Sequence, residues 1–339
     1  MGTTDGLGEG MYADGSAGLV DLPRVSVVNA PPNRLSPAHK QGDTGCTGED
    51  RDEDAMAVIL NADDFGMTPA IGVAIRRLID MNRVSATSCL VTSPHWPGEA
   101  ERLRPVAASV DVGLHFNLTF GRPLAAMPNL APDGRFPSLV PLILRSLARR
   151  IDEEEIAAEF HRQIDRFTAE MGRLPDFVDG HQHVHALPVI RRAVVKVLAR
   201  RFPARSVWLR YPALRPADIW RSPESAPGAL VISLLSFGFR RFGERHGLRG
   251  NKVFRGVRRF TDEPAYPKLF ERYLARLRPG TLIACHPGVH EDEVLDPRHP
   301  TAAREEEYAY LASDAFADRL RRGNVRLVRL RDLPFTVSS

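Results

Sequence analysis

An α/β fold built on a parallel sheet is predicted by three features of this 339-residue chain. Short apolar runs of strand length recur along it. Segments with helical spacing separate them. Polar clusters rich in Asp and His follow directly on several of the apolar runs. Strands alternating with helices make βαβ units, which either close into a barrel or stay an open sheet.

The first strand is read at Val58-Ile59-Leu60, an apolar run bounded by polar residues. Thr68-Pro69 then supplies a helix N-cap and a first-turn proline, and Ala70 to Arg83 carries helical spacing through Ile71, Ala74, Leu78 and Ile79. Ala86 to Val91 and Val110 to Phe116 read as the next two strands, and Phe177-Val178 with its neighbours as the fourth. Helical patterns run from Glu153 to Met171 and from Val189 to Arg201. Ser206 to Arg210, Thr281 to Cys285 and Val325 to Leu330 supply later strands, about seven in all. Ala229 to Phe242 is strongly apolar, and Leu230, Leu234 and Phe237 share one face at helical spacing. Arg240, Arg241, Arg245 and Arg249 cluster toward its C-terminal end. Three readings suit it: a buried helix of the outer layer, a contact between the subunits of a homodimer, or a lid meeting a lipid surface.

A composition of 43% hydrophobic and 26% charged residues is that of a globular protein with a sizeable core. The net charge of +4 is unevenly spread: residues 1–56 hold ten Asp/Glu against four Lys/Arg, which leaves the remainder at +10. The first 56 residues, rich in Gly, Asp, Pro and Ser, are expected to form a disordered or extended acidic tail, with one catalytic domain over 57–335. No nucleic-acid signature accompanies the basic body, so no nucleic-acid partner is expected. The three cysteines, Cys46, Cys89 and Cys285, are far apart, which excludes a disulfide framework and a cysteine-ligated zinc site. The N-terminus lacks a cationic and apolar signal, and the longest apolar run, Ala229 to Phe239, spans 11 residues where a bilayer needs roughly 20. A soluble, cytoplasmic protein is expected.

Four polar clusters fall where predicted strands end, the place where parallel α/β folds collect catalytic groups. Asn61-Ala62-Asp63-Asp64-Phe65-Gly66 sets two carboxylates side by side, which is costly without a cation or proton; a helix cap before Pro69 accounts for one of them only. Gly113-Leu114-His115-Phe116-Asn117-Leu118-Thr119 offers a histidine, ligand or satisfied core residue. Asp179-Gly180-His181-Gln182-His183-Val184-His185 has three histidines at i, i+2 and i+4, which face one way on an extended segment. Cys285-His286-Pro287-Gly288 ends a strand in a sharp turn. Together these make a catalytic metal site of Asp, His and His with an open place for water, and leave a carboxylate and a histidine for proton transfer.

In this combination the sequence resembles the YdjC-like carbohydrate deacetylases, which include chitooligosaccharide and hopanoid-biosynthesis deacetylases. The four motifs occur in the family's order, and the match runs from about Ala57 to Leu330. The resemblance implies a distorted (β/α) barrel with one divalent ion and an N-acetylated sugar, as oligosaccharide or glycolipid, as substrate. It implies Asp64, His115 and His181 as metal ligands, Asp63 as general base and His286 as general acid. Asn117, His183, His185, Arg210 and Arg304 are placed as substrate contacts; an ion pair or cap is the other reading of Asn117, Arg210 and Arg304. The mixed nitrogen and oxygen ligand set suits Zn²⁺, Co²⁺ or Mn²⁺, whereas the family resemblance points to Mg²⁺. The activity implied is hydrolysis of an acetamide through a metal-activated water. A metal-dependent phosphoesterase and a sugar-binding protein with a structural ion are the alternatives.

Overall fold

The computed structural model describes residues 55–203, 206–220, 223, 225–258, 265–291 and 300–333. The acidic stretch expected as a tail lies outside the described residues, save its last two positions.

Eight strands pair in parallel: β1 (Met56–Phe65), β2 (Ala86–Cys89), β3 (Asp111–Phe116), β4 (Phe177–Gly180), β5 (Trp208–Leu209), β6 (Val253–Arg255), β7 (Thr281–Cys285) and β8 (Val325–Leu327). The sheet order is β5-β4-β3-β2-β1-β7-β6, with β8 on the first residues of β1. Beyond the edge, the Leu209 amide donates to the Arg249 carbonyl at 2.7 Å and the Tyr211 amide to Asn251 Oδ1 at 2.8 Å, so the segment before β6 leans on β5. This curled sheet is the distorted (β/α) barrel that the family resemblance implies, and it decides between the barrel and the open sheet that the sequence pattern left open. β6 has no predicted counterpart, because Val253-Phe254-Arg255 is too short a run to stand out.

The helices are α1 (Pro69–Asp80), α2 (Trp96–Leu103), α3 (Leu139–Leu147), α4 (Glu153–Met171), α5 (Ile190–Arg201), α6 (Pro216–Ile219), α7 (Ala226–Leu235), α8 (Phe239–Arg245), α9 (Tyr266–Leu274), α10 (Thr301–Ala312) and α11 (Asp314–Arg322). Thr68 caps α1 by accepting from the Ile71 amide, and Asp152 caps α4. The apolar stretch Ala229 to Phe242 is two helices, broken where Gly238 takes a φ of 73°. Of α7 only Ala229 is buried, so the reading as a buried outer helix fails for α7, whereas Phe239 of α8 is buried and Leu235 and Phe242 pack against the core. None of the described helices is long and apolar enough to cross a membrane.

Strand parity sets the site. Along β1, Val58, Leu60 and Ala62 belong to the large core beneath the helices, while Ile59 joins a smaller core with Ala86, Phe177, Trp208, Phe254 and Leu282. The second set lines the sheet's inner face, because side chains alternate along a strand. Stepping by two toward the carboxyl ends, the inner face turns polar: Asn61 and Asp63 on β1, Ser88 on β2, His115 on β3 and Asp179 on β4. Arg210 and His286 continue the same parity just past β5 and β7. The sheet thus has an apolar floor and a polar mouth.

Candidate metal centre

Asp63 and Asp64 are neighbours, yet both face the mouth. The register of β1 on β2 advances three residues, from Ala62 to Phe65, while its partner advances two, from Thr87 to Cys89. The extra residue is a bulge, with Asp64 at a φ of 67°. It turns Asp64 inward beside Asp63 and returns Phe65 to the outer core. The two carboxylates therefore converge within the strand rather than in a loop after it.

The histidine cluster departs from its extended reading. After Gly180, Gln182 and His183 take φ of 53° and 60° within a 3-10 turn, His181–Ala186. The three imidazoles consequently separate. His181 Nδ1 lies 3.0 Å from Asp64 Oδ1, His183 meets the ring of Phe254 edge-on at 5.3 Å, and His185 Nε2 bonds the Arg210 carbonyl at 2.9 Å. Gly180 permits the turn, since a Cβ there would stand 2.7 Å from His185 Nδ1.

His115 Nε2 lies 3.2 Å from Asp64 Oδ1. Ligand atoms of Asp64, His115 and His181 all fall within 4.8 Å of one another, and all three residues are buried. His115 Nδ1 is 2.7 Å from Asp179 Oδ1 and 3.0 Å from Ser88 Oγ. An Nδ1–H donated to Asp179 leaves Nε2 as the donor atom toward a cation, the usual support of a metal-ligating histidine. Burial pushes His115 down, but Asp179 outweighs it and takes the imidazole up to about 10.

Two buried arginines frame the cluster. Arg210 donates to both oxygens of Asp63 at 2.7 Å and approaches Asp179 Oδ2 at 2.5 Å. Burial raises the Asp63 carboxyl, yet Arg210 overrides it and holds Asp63 well below the carboxylate range. Arg304, on α10, donates to Asp64 Oδ2 at 2.7 Å and with His181 keeps Asp64 low against the same burial. Among these groups three carboxylates (Asp63, Asp64, Asp179) face two guanidiniums (Arg210, Arg304), an excess of one negative charge that either a second proton on His115 or a cation at its Nε2 offsets. A cation between Asp64, His115 and His181 has the sign that offsets this excess, and the one-oxygen, two-imidazole donor set is one that divalent ions take. Asp63, His115 and Asp179 also converge within 4.8 Å, but Arg210 already bridges both of those carboxylates.

His286 Nε2 lies 3.8 Å from Asp63 Oδ2, and its backbone amide donates to Glu307 Oε2 at 2.6 Å. Burial holds its imidazole below the ordinary histidine value. Burial likewise takes His185 down to about 4. Asn117 Oδ1 accepts from the Thr119 and Phe120 amides at 3.0 Å, and its Nδ2 donates to Thr92 Oγ1 and the Phe120 carbonyl. Asn117, His185, Arg210 and Arg304 are thus buried and bonded within the protein; His183 is the least buried of the five residues expected to meet substrate. Asp179 and Ser88 escaped the sequence reading as site residues. The signal for Asp179 was its place at the carboxyl end of a strand, two residues before His181.

The model of the YdjC-like protein family matches residues 57–322. The chain belongs to that family. Among curated relatives, the chitooligosaccharide deacetylases of Yersinia pestis (strain Pestoides F) and Yersinia pseudotuberculosis serotype O:1b (strain IP 31758) are each 41% identical over 134 residues. Each match covers 39% of this chain and 52% of the relative. The chain thus spans about half the length of the curated relatives it matches. A solved structure from Enterococcus faecalis V583, given as a candidate cellobiose-phosphate cleavage protein, shares the fold: TM-score 0.61 at 21% identity, over 83% of this chain and all of that one.

Proposed function

We propose that the chain is a metal-dependent carbohydrate N-deacetylase, a hydrolase that releases acetate from an N-acetylated sugar. The observation that carries the reading is the convergence of Asp64, His115 and His181 beside the Asp63–His286 pair. The deacetylase names of the relatives point the same way. Asp64, His115 and His181 would hold the ion, and the mixed ligand set favours Zn²⁺, Co²⁺ or Mn²⁺ over Mg²⁺. When bound, the ion supplies Lewis acidity toward the acetamide oxygen and lowers the pKa of water.

The chain's own groups move the protons. Asp63, kept ionised by Arg210, accepts a proton from the attacking water at Oδ2, the oxygen that faces His286. His286 Nε2, 3.8 Å from Asp63 Oδ2, takes on that proton and delivers it to the departing nitrogen, so the C–N bond breaks to give a neutral amine and acetic acid, which ionises to acetate. Asp179 keeps the His115 ring oriented, and Arg304 holds the far oxygen of Asp64. Because Arg210 fills the second ligand cluster with a guanidinium, the site suits one ion, which disfavours two-metal phosphoester chemistry.

The test is acetate release from a panel of N-acetylglucosamine mono- and oligosaccharides. Chelator-treated protein would be compared with protein reloaded with Zn²⁺, Co²⁺, Mn²⁺ or Mg²⁺. Ion-dependent acetate release is expected. Phosphate release from phosphate esters with no acetate from any sugar would overturn the reading.

A further inference from the structure

Ten large apolar side chains are exposed among the described residues, and eight of them fall on two segments. Val140, Leu144 and Leu147 form a stripe at i, i+4 and i+7 along α3, with Val140 65% exposed. Trp220 stands 77% exposed beyond α6; Leu230, Val231 and Leu234 on α7 lead to Phe237 at 82%. Two stretches this rich in exposed apolar groups are unusual on a free surface.

Both segments fasten to the same short stretch. Ser146 Oγ on α3 donates to the Pro188 carbonyl, and Arg191 Nη1 donates to the Phe237 carbonyl at 3.0 Å. Pro188–Arg191 directly follows the turn that carries His181, and Phe239 of α8 packs on His185 with ring centroids 5.7 Å apart. The segments follow β3 and β5, so both leave the sheet at the carboxyl ends of its strands, the end that holds the metal centre.

Their charge is one-sided. Residues 139–150 contain three arginines and no carboxylate, and residues 226–250 contain four arginines and Glu244 alone. Arg149, Arg150, Arg241 and Arg245 are exposed. We infer that α3 and α7–α8 together dock the mouth of the sheet onto an anionic lipid surface. Apolar side chains enter the headgroup boundary and arginines meet the lipid phosphates. Helices of 9 and 10 residues are too short to span a bilayer, so they lie on it. A second copy is a poorer occupant, because a two-fold contact sets the same patch against itself and brings its arginines together.

The inference goes beyond the deacetylase reading, and its test needs neither substrate nor ion. The full chain in chelator is floated with vesicles of phosphatidylcholine alone or mixed with phosphatidylglycerol, at low and high salt. Binding to the phosphatidylglycerol vesicles at low salt, weakened by salt, is expected. Leu144→Ser/Phe237→Ser should weaken it by roughly tenfold or more, and Arg149→Gln/Arg241→Gln should abolish the preference for anionic lipid. Both variants change exposed side chains, and unchanged melting temperatures establish that they fold. Three results overturn the inference: no wild-type binding to the anionic vesicles, equal binding by the apolar variant, or a concentration-dependent dimer in light scattering that this variant abolishes while vesicles bind neither protein.

Discussion

Replacing Arg210 with Met removes the guanidinium and keeps an unbranched stem in its place. Arg210 is fully buried and bonds Asp63 through two 2.7 Å contacts while standing 2.5 Å from Asp179. The variant leaves two buried carboxylates without their shared cation. Breaking a buried pair in this way costs about 3–5 kcal/mol. At about 2–4 °C per kcal/mol for a domain of this size, the melting temperature should fall by roughly 6–20 °C. Both partners support a strong interaction: Asp63 is held low despite burial, and Arg210 is held above the ordinary guanidinium value despite burial. Urea denaturation of chelator-treated wild type, Arg210→Met, Asp63→Asn and the double variant measures the coupling. Asp63→Asn removes one of the charges that the lost arginine had balanced, so the double variant should be more stable than the sum of the single losses predicts. A loss below about 1 kcal/mol for Arg210→Met, or strict additivity in the cycle, would refute the account, since a buried pair of this kind cannot be both broken and silent.

His181→Ala should lose its divalent ion, and full stoichiometry by elemental analysis would remove His181 from the ligand set. Asp179→Asn should keep the ion but bind it roughly 10–100-fold more weakly by titration calorimetry, because it loosens the orientation of His115; unchanged affinity would limit Asp179 to its pairing with Arg210. Asp63→Asn should lower turnover by roughly 10²–10⁴ with metal content intact, and a near-normal rate would assign the base elsewhere. A chain starting at Asp54 should retain activity and melting temperature, as expected if the acidic residues before it contribute nothing to the domain; a large fall in either would show that they do.

The outer face of the fold was legible because its periodicity is apolar. Val58-Ile59-Leu60, Ala86 to Val91 and Thr281 to Cys285 stand out as strands since they are buried on both faces where they cross the floor of the sheet. β6 and β5 did not stand out or were read too long, because they hold three and two residues at the edges of the sheet. The break at Ser236–Gly238 hid inside a continuous apolar run. Composition there gives hydrophobicity but not the side of the helix that finds a partner, so α7 was open to a buried reading that its exposure refutes.

The metal centre was legible as residue types at strand ends, but its supports were not. Asp64 and His181 are separated by 117 residues, and Asp64 and Arg304 by 240; no local pattern announces such pairs. Parity decides them. Once β1, β3, β4 and β7 are in register, Asp63, His115, Asp179 and His286 must share the inner face, and the arginines at the strand ends are drawn to the carboxylates by the cost of burying them alone. Two places where the geometry departs from the sequence pattern, the strand between Ala62 and Phe65 and the turn at Gln182–His183, both hold non-glycine residues at positive φ. Such conformations cost free energy and persist when the surrounding structure demands them. The bulge swings Asp64 out of the regular alternation to meet His181, which keeps the inner-face parity of Phe177 and Asp179, and the turn after it parts His183 and His185 from that point. The strain of the bulge thus lies on Asp64, the ligand that strand parity alone could not deliver.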